Sequence, residues 1–193
     1  MHYGMVEQLS GESNQKLVVH AKPHKLIKID NLSGYYIKQL NTQEALEREW
    51  TALNECKGSG IQSVLYVDWE RLQLTLEFDR YAIPLSEFGP QDLALFNSLI
   101  PDIINVISHC HKNGWVHGDI KPSNMLYVPY LEDIRLIDFG ASLRLGTSRE
   151  LLTDWQGTPM FASSKQMNGE GLVTVDDDWY SLMKIINQVI HNG

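Results

Sequence analysis

Only two cysteines occur in 193 residues, Cys56 and Cys110, far apart and each within an apolar-periodic stretch. That excludes a disulfide framework, and the expected state is two buried thiols in a reducing compartment. Long apolar runs are also missing. Nothing approaches the roughly 18 or more consecutive apolar residues of a membrane span. The first ten residues hold His2, Glu7 and Gln8 rather than the apolar centre of a cleaved leader. The cytoplasm is therefore the expected place of work, with export by another route, or delivery into a host cell, left open. Basic charge is scarce too: 16 Lys and Arg stand against 24 Asp and Glu, a net charge of −8. Such a balance makes nucleic acid and anionic membranes poor partners. What is present is ordinary, with 43% hydrophobic and 21% charged residues. A chain of this length can bury roughly 70% of its unfolded surface, as one domain or as two lobes sharing a cleft.

The first 80 residues read as strands with one helix inserted. Residues 16–20, 25–29 and 35–40 are short β-branched or aromatic runs separated by turn material, which predicts a three-stranded antiparallel meander. Asn41 reads as a helix N-cap with Glu44 completing a capping box, followed by an apolar stripe of Leu46, Trp50 and Leu53. Two more strands are expected at 63–68 and 72–78, joined by a turn at Glu70-Arg71. From Ile83 the pattern turns helical. Gly89-Pro90 opens a short helix; Leu99, Ile103, Val106, Ile107 and Cys110 mark a longer one that stops at Asn113-Gly114. Short strands follow at 125–128 and 134–137. Residues 142–174 carry no clear period, and Leu182, Ile185, Ile186 and Val189 line a last helix. The expected fold is α+β: a small sheet lobe over about 16–79, a linker near 79–84, and a helical lobe over about 80–193, together one domain spanning 1–193.

Three segments carry chemistry: His117-Gly118-Asp119-Ile120-Lys121-Pro122-Ser123-Asn124, Asp138-Phe139-Gly140, and Gly157-Thr158-Pro159-Met160-Phe161-Ala162-Ser163. Asp119, Asn124 and Asp138 are oxygen donors near the ends of a short strand pair, the ligand type that Mg²⁺ prefers. Lys121 adds positive charge where a transferring phosphoryl group needs it. An HxDxKxxN followed by a DFG, each beside an apolar run, resembles the eukaryotic-like Ser/Thr protein kinases, including the many found in bacteria. The resemblance extends over about Leu17 to Ile190.

That resemblance implies a role for each matching position. Asp119 would orient the substrate hydroxyl and accept its proton, and Lys121 would contact the γ-phosphate. Asn124 and Asp138 would hold Mg²⁺. Lys38 in Tyr-Tyr-Ile-Lys is similar to the third-strand lysine, with Glu49 favoured over Glu47 as its ion-pair partner. Glu77, Phe78 and Asp79 resemble the hinge that presents backbone groups to a purine, with Leu76 as gatekeeper and Leu126 in the nucleotide-binding set. His117, Phe139 and Leu53 match an internal packed spine. His109, Cys110 and His111 read as helix residues pointing different ways rather than as a metal tract. The implied cofactors are ATP and Mg²⁺, and the implied partner is a protein substrate. Aminoglycoside and choline phosphotransferases share H-G-D-x-x-x-x-N and I-D-F-G, so a small-molecule kinase is an alternative. Against it stand Lys121, the Thr158 segment, where Thr158 would bridge Asp119 and Lys121, and Asp178, which would anchor the catalytic loop.

Departures from the family pattern are equally informative. No glycine-rich loop precedes the second strand; His20-Ala21-Lys22-Pro23-His24-Lys25 stands there, and Pro23 has no N–H to offer a phosphate. Lys22, His24 or Lys25 could supply charge in its place, and Gly11-Glu12-Ser13 fits the strand spacing poorly. Tyr36 replaces the small residue over the adenine. Gly118 replaces the arginine that reads activation-loop phosphates, which implies no such switching unless Arg144 or Arg149 substitutes for a phosphate on Thr147, Ser148 or Thr153. Lys165 stands where a structural glutamate would be, and the family's later helices lie past the end of the sequence. These features suggest a minimal, truncated kinase. Activation by a bound partner is one expectation, and a kinase-shaped binding scaffold with little turnover is the other.

Overall fold

A computed structural model describes residues 20–21, 24–30, 33–152 and 155–192. The expected strand residues 16–19, the Gly11–Ser13 stretch, Lys22, Pro23 and Thr153 lie outside the described residues. The amino-terminal part is a sheet in the order β1-β2-β3-β5-β4. Its strands are β1 (His20–Ala21), β2 (His24–Asp30), β3 (Ser33–Gln39), β4 (Val64–Asp68) and β5 (Gln73–Asp79). All neighbours pair antiparallel, with a bulge in β2 between Leu26 and Lys28. The β4–β5 turn closes because the Asp68 carboxylate accepts the backbone N–H groups of Glu70 and Arg71, while Leu72 takes a left-handed φ of 53°.

Helix α1 (Gln43–Glu55) crosses between β3 and β4. Its N-cap is Thr42, not Asn41: the Thr42 hydroxyl accepts Ala45 N at 3.1 Å, so Glu44 sits one position too early for a capping box. Both residues are good caps, and the extended backbone of Thr42 decides between them. The buried face of α1 is Leu46, Glu49, Ala52 and Leu53, which places one carboxylate in an otherwise apolar stripe.

The chain leaves the sheet later than the family pattern suggested. Glu77, Phe78 and Asp79 are still β5, opposite Tyr35, Gly34 and Ser33 of β3, and the crossover is residues 80–82. A second sheet follows, in the order β6 (Ile83–Pro84), β8 (Met125–Val128), β9 (Asp133–Leu136). Helix α2 (Leu93–Lys112) lies behind it, entered through a 3₁₀ turn at Pro90–Asp92 rather than through a separate short helix. By length and mean hydropathy, Pro90–Lys112 is apolar enough to cross a bilayer, although polar residues interrupt its apolar run. Its Phe96, Leu99, Ile103, Val106, Ile107 and Cys110 are buried in the protein core. Strand β7 (Trp115–Val116) pairs with β10 (Leu143–Arg144), giving structure to part of the aperiodic region. Helix α3 (Ser164–Asn168) carries a capping box between Ser163 and Gln166, and α4 (Asp176–Asn192) closes the described chain.

One hydrophobic core runs through both parts, joining Leu46, Leu53, Leu74 and Leu76 to Ile103, Ile107, Leu136, Phe139 and Ile185. The segment after α1 is stitched to β9: Leu136 N donates to Gly60 O at 2.7 Å, and Gln62 N to Leu136 O at 3.1 Å. Arg135 pairs with Glu77 at 3.2 Å, and the Tyr130 hydroxyl donates to Asp79. These ties fix how the sheet sits on the helical part. The site lies between the two.

Candidate active site

Lys38 projects from β3 into this seam, 7% exposed. Its ammonium donates to Glu49 Oε1 at 2.7 Å and to Asp138 Oδ1 at 2.6 Å. Glu47 lies on the exposed face of α1. Glu49 is the residue that lands beside Leu46 and Leu53, so helix phase selects the partner. Burial opposes charge on Lys38, but Glu49 and Asp138 outweigh it and hold the ammonium above its ordinary value. Burial pushes the Glu49 carboxyl up against the pull of Lys38, and its Oε2 is buried without a hydrogen-bond partner among the described residues. For Asp138, burial acts upward, but the Lys38 charge and hydrogen bond, with His117 and Lys121 beyond, lower it to about 2. Asp138 is thus an anion across the physiological range. It holds a left-handed φ of 62°, a conformation a non-glycine residue keeps only when its surroundings impose it. Phe139 follows, fully buried and edge-on to His117 at 4.8 Å.

The catalytic-loop segment assembles opposite. Lys121 Nζ donates to Asp119 Oδ2 and, at 2.8 Å, to Thr158 Oγ1; Thr158 meets Asp119 through that ammonium. Asn124 Nδ2 donates to Asp119 O at 3.0 Å. Asp119 Oδ1 is buried and has no hydrogen-bond partner among the described residues. The loop backbone is clamped from below by Asp178 of α4, fully buried, whose two oxygens accept His117 N and Gly118 N at 2.9 Å each. His111 also contacts Asp178, at 2.8 Å. His117 Nε2 faces the Ile137 carbonyl at 3.0 Å, so it carries the proton and Nδ1 accepts from Asp119 N. That histidine is a strut, not a base.

Lys38, Glu49, Asp119, Lys121, Asp138 and Gly157 line a single cavity of about 640 Å³. Tyr36, Glu77 and Leu126 lie away from its walls. Leu126 sits on β8 opposite Pro84 and Arg135, and Asp79 is engaged by Tyr130 and by Tyr81 N. Lys38, Glu49, Asp119, Lys121 and Asp138, nominated for the phosphates, metal and transfer, thus share one cavity, whereas Asn124, Thr158 and the residues nominated for the base are not among its walls.

Two contributors escaped sequence reasoning, and a third residue has another role than the one considered for it. Arg48 on α1 donates to the Gly140 carbonyl at 3.1 Å, tying the helix to the turn after Asp138. Gln62, 4% exposed, bridges Tyr36 and Glu77; a lone polar residue entering a strand was its only signal. Arg149 is the third. It is buried, paired with Asp177, and donates to the carbonyls of Glu170 and Leu172. Arg144 pairs with Glu55 and covers the Trp115 ring at 4.4 Å. Both arginines considered as phosphate receivers are committed to contacts within the chain.

A family model described as protein kinase domain matches residues 21–192. The Serine/threonine-protein kinase Genghis Khan of Drosophila melanogaster is 31% identical over 169 residues, which is 77% of this chain and 10% of that protein. The human Myotonin-protein kinase is 36% identical over 110 residues, 51% of this chain and 17% of its own. Human Mitogen-activated protein kinase kinase kinase 19 is 32% identical over 101 residues, 49% of this chain and 8% of that protein. The chain therefore spans less than a fifth of the length of these relatives. Among solved structures, the Cydia pomonella granulovirus kinase PK-1 matches with a TM-score of 0.66 over 96% of this chain and 68% of that one. At 17% identity, that likeness is one of fold. A family model spanning nearly all of the described residues makes this chain a member of the protein kinase domain family, on its eukaryotic-like Ser/Thr side.

Proposed function

We propose that the chain transfers the γ-phosphate of ATP to a Ser or Thr hydroxyl of a protein substrate, with Mg²⁺ as cofactor. One observation carries the reading. The Lys38–Glu49–Asp138 network and the Asp119–Lys121 pair line one cavity, and one Asp119 carboxylate oxygen is buried with no hydrogen-bond partner among the described residues. An acceptor of that kind suits the proton of an incoming hydroxyl. In the step, the substrate oxygen bonds to the γ-phosphorus and the bond to the leaving ADP oxygen breaks. The hydroxyl proton passes to Asp119 Oδ1. Lys121 holds the other oxygen of Asp119 and offers positive charge to the moving phosphoryl group. Lys38, kept cationic by its two carboxylates, can neutralise the upstream phosphates.

Asp138 and Asn124 would hold Mg²⁺. The fit is good, because an ionised carboxylate and an amide oxygen leave room for the water and phosphate ligands that this ion retains. When bound, the ion supplies Lewis-acid stabilisation of phosphate charge. The Lys38–Glu49 pair is closed in the chain alone, so an activating partner has another task than forming it. Tyr36 at the base end favours a second reading, a binding scaffold with little turnover. Radiolabelled ATP offered to wild type, Asp119→Ala and Asp138→Asn, on generic protein substrates and with candidate partners, separates the two. Transfer lost by about 10³ in both variants, equivalent to about 4 kcal/mol of barrier, supports the enzyme; transfer in wild type no greater than in the variants refutes it.

A further inference from the structure

We infer that Tyr36 and Gln62 form an internal plug at the base end of the nucleotide site, and that this plug sets how tightly, and for which purine, the chain binds. The inference rests on the proposed kinase reading. Gln62 Nε2 donates to the Glu77 backbone carbonyl at 2.9 Å. Its orientation is fixed, since only the amide nitrogen can face a carbonyl. The Tyr36 hydroxyl lies 3.4 Å from Gln62 Oε1, to which it donates, and 3.3 Å from Nε2. Tyr36 stands opposite Leu76 in the β3–β5 register, on the same face of β3 as Lys38. Its ring therefore reaches from the face that serves the nucleotide toward the β9 side of the seam. Gln62 is anchored there through its own backbone bond to Leu136.

The consequence follows from hydrogen-bond chemistry. Glu77 is the first residue of the segment assigned to the purine edge. Its N–H is spent on Ser63 O at 2.9 Å, and its carbonyl is engaged by Gln62. A purine that donates an exocyclic amino group to that carbonyl must compete with the Gln62 amide. It must also displace an aromatic ring. Adenine carries such an amino group at C6, whereas guanine carries a carbonyl there, so the Glu77 carbonyl gains a partner from ATP and not from GTP. Removing the plug should therefore help ATP more than GTP. A neutral hydrogen bond released at such a site is worth about tenfold in affinity.

The test is ATP and GTP binding to the full chain, read by calorimetry with Mg²⁺, for wild type, Tyr36→Phe, Tyr36→Ala and Gln62→Leu. Tyr36→Phe keeps the ring and fold and deletes only the hydroxyl. Tyr36→Ala and Gln62→Leu should tighten ATP by about tenfold or more, Tyr36→Phe by less, with a smaller gain for GTP. In turnover, the gain should appear as a lower KM for ATP rather than a higher kcat. Affinity that is unchanged, weakened, or improved equally for both nucleotides overturns the plug; weakening in Gln62→Leu alone would make Gln62 a base ligand instead. Tighter ATP binding without transfer would leave the plug standing and remove the kinase activity. Transfer with ATP affinity indifferent to all three substitutions would do the reverse.

Discussion

Replacing Gly118 by alanine should destabilise the chain far more than the same change at Gly146. Both glycines hold left-handed backbones, with φ of 78° and 82°. A Cβ at Gly146 would meet nothing within 4 Å, so only the conformational cost applies there, about 1 kcal/mol. At Gly118 the added Cβ would lie 2.6 Å from the Ala141 carbonyl oxygen. That atom is backbone and cannot rotate aside. Either Ala141 moves or the Gly118 peptide does, and moving the peptide loosens the Asp178 clamp on His117 N and Gly118 N. An unmet buried N–H costs about 1–3 kcal/mol, so Gly118→Ala should cost about 2–4 kcal/mol in all. With a urea dependence of about 2 kcal/mol per molar, the unfolding midpoint falls by roughly 1–2 M, against roughly 0.5 M for Gly146→Ala. Urea titration followed by tryptophan fluorescence reads both. Equal midpoints for the two variants would refute the reasoning, because the Ala141 contact would then be costless.

Further predictions follow from the same contacts. Asp178→Ala strands two N–H groups and should cost roughly 2–6 kcal/mol in equilibrium unfolding; a loss under about 1 kcal/mol would show that the loop at His117 and Gly118 holds its shape without the clamp. Asp138 has its folded value lowered from 3.8 to about 2, so the stability it contributes, roughly 2 kcal/mol, is present above pH 4 and disappears as pH falls through 2. Acid unfolding curves of Asp138→Asn should lack that limb, and superimposable curves would contradict the ion-pair account. Phosphatase-treated protein and the Thr147, Ser148 and Thr153 triple alanine variant should keep full transfer activity, because Arg149 and Arg144 are occupied. Lost activity in both, with recovery on rephosphorylation of the treated protein, would assign a phosphate receiver that the static contacts hide.

The placement of the reactive segments was legible because the residues that define them are short-range patterns at fixed spacing. Lys38 could be found from a four-residue strand signature, and Glu49 from helix phase: it falls three residues after Leu46 and four before Leu53, on the stripe that must be buried. Thr42 and Asn41 could not be separated from sequence, since both cap well and only the backbone angle decides. The end of β5 falls one residue past the expected Phe78 because pairing with β3 runs to Ser33–Asp79, and strand length depends on the partner as much as on its own residues. Gln62, Tyr130 and the true partner of Arg149 were out of reach altogether. Each is a single polar side chain whose partner lies 15 to 51 residues away, and no periodicity marks such a contact.

The two ends of the site pose different physical problems. At the phosphate end, the costly arrangements are already made: three charges are packed within hydrogen-bond distance, Asp138 is held in a left-handed conformation, and the loop backbone is clamped by Asp178. A group that must wait for a phosphate or a partner to organise it would instead show exposed, unpaired ions there, and Lys38 and Lys121 are both buried and engaged. No G-x-G-x-x-G stands before β2 in the sequence, so on the proposed kinase reading phosphate affinity has to come from those fixed charges rather than from closing backbone amides. The base end is organised too, but around the protein's own Tyr36 and Gln62. Binding energy from the base is the usual means of holding a nucleotide long enough for its phosphates to be positioned. On that proposal, a chain that spends the Glu77 carbonyl on its own Gln62 forgoes part of that energy. If the proposed plug operates, preorganised chemistry beside a self-satisfied base site makes turnover depend on nucleotide occupancy. On that proposal the slow variable is whether Tyr36 swings away, and a partner that favoured the open ring would activate the chain without touching Asp119.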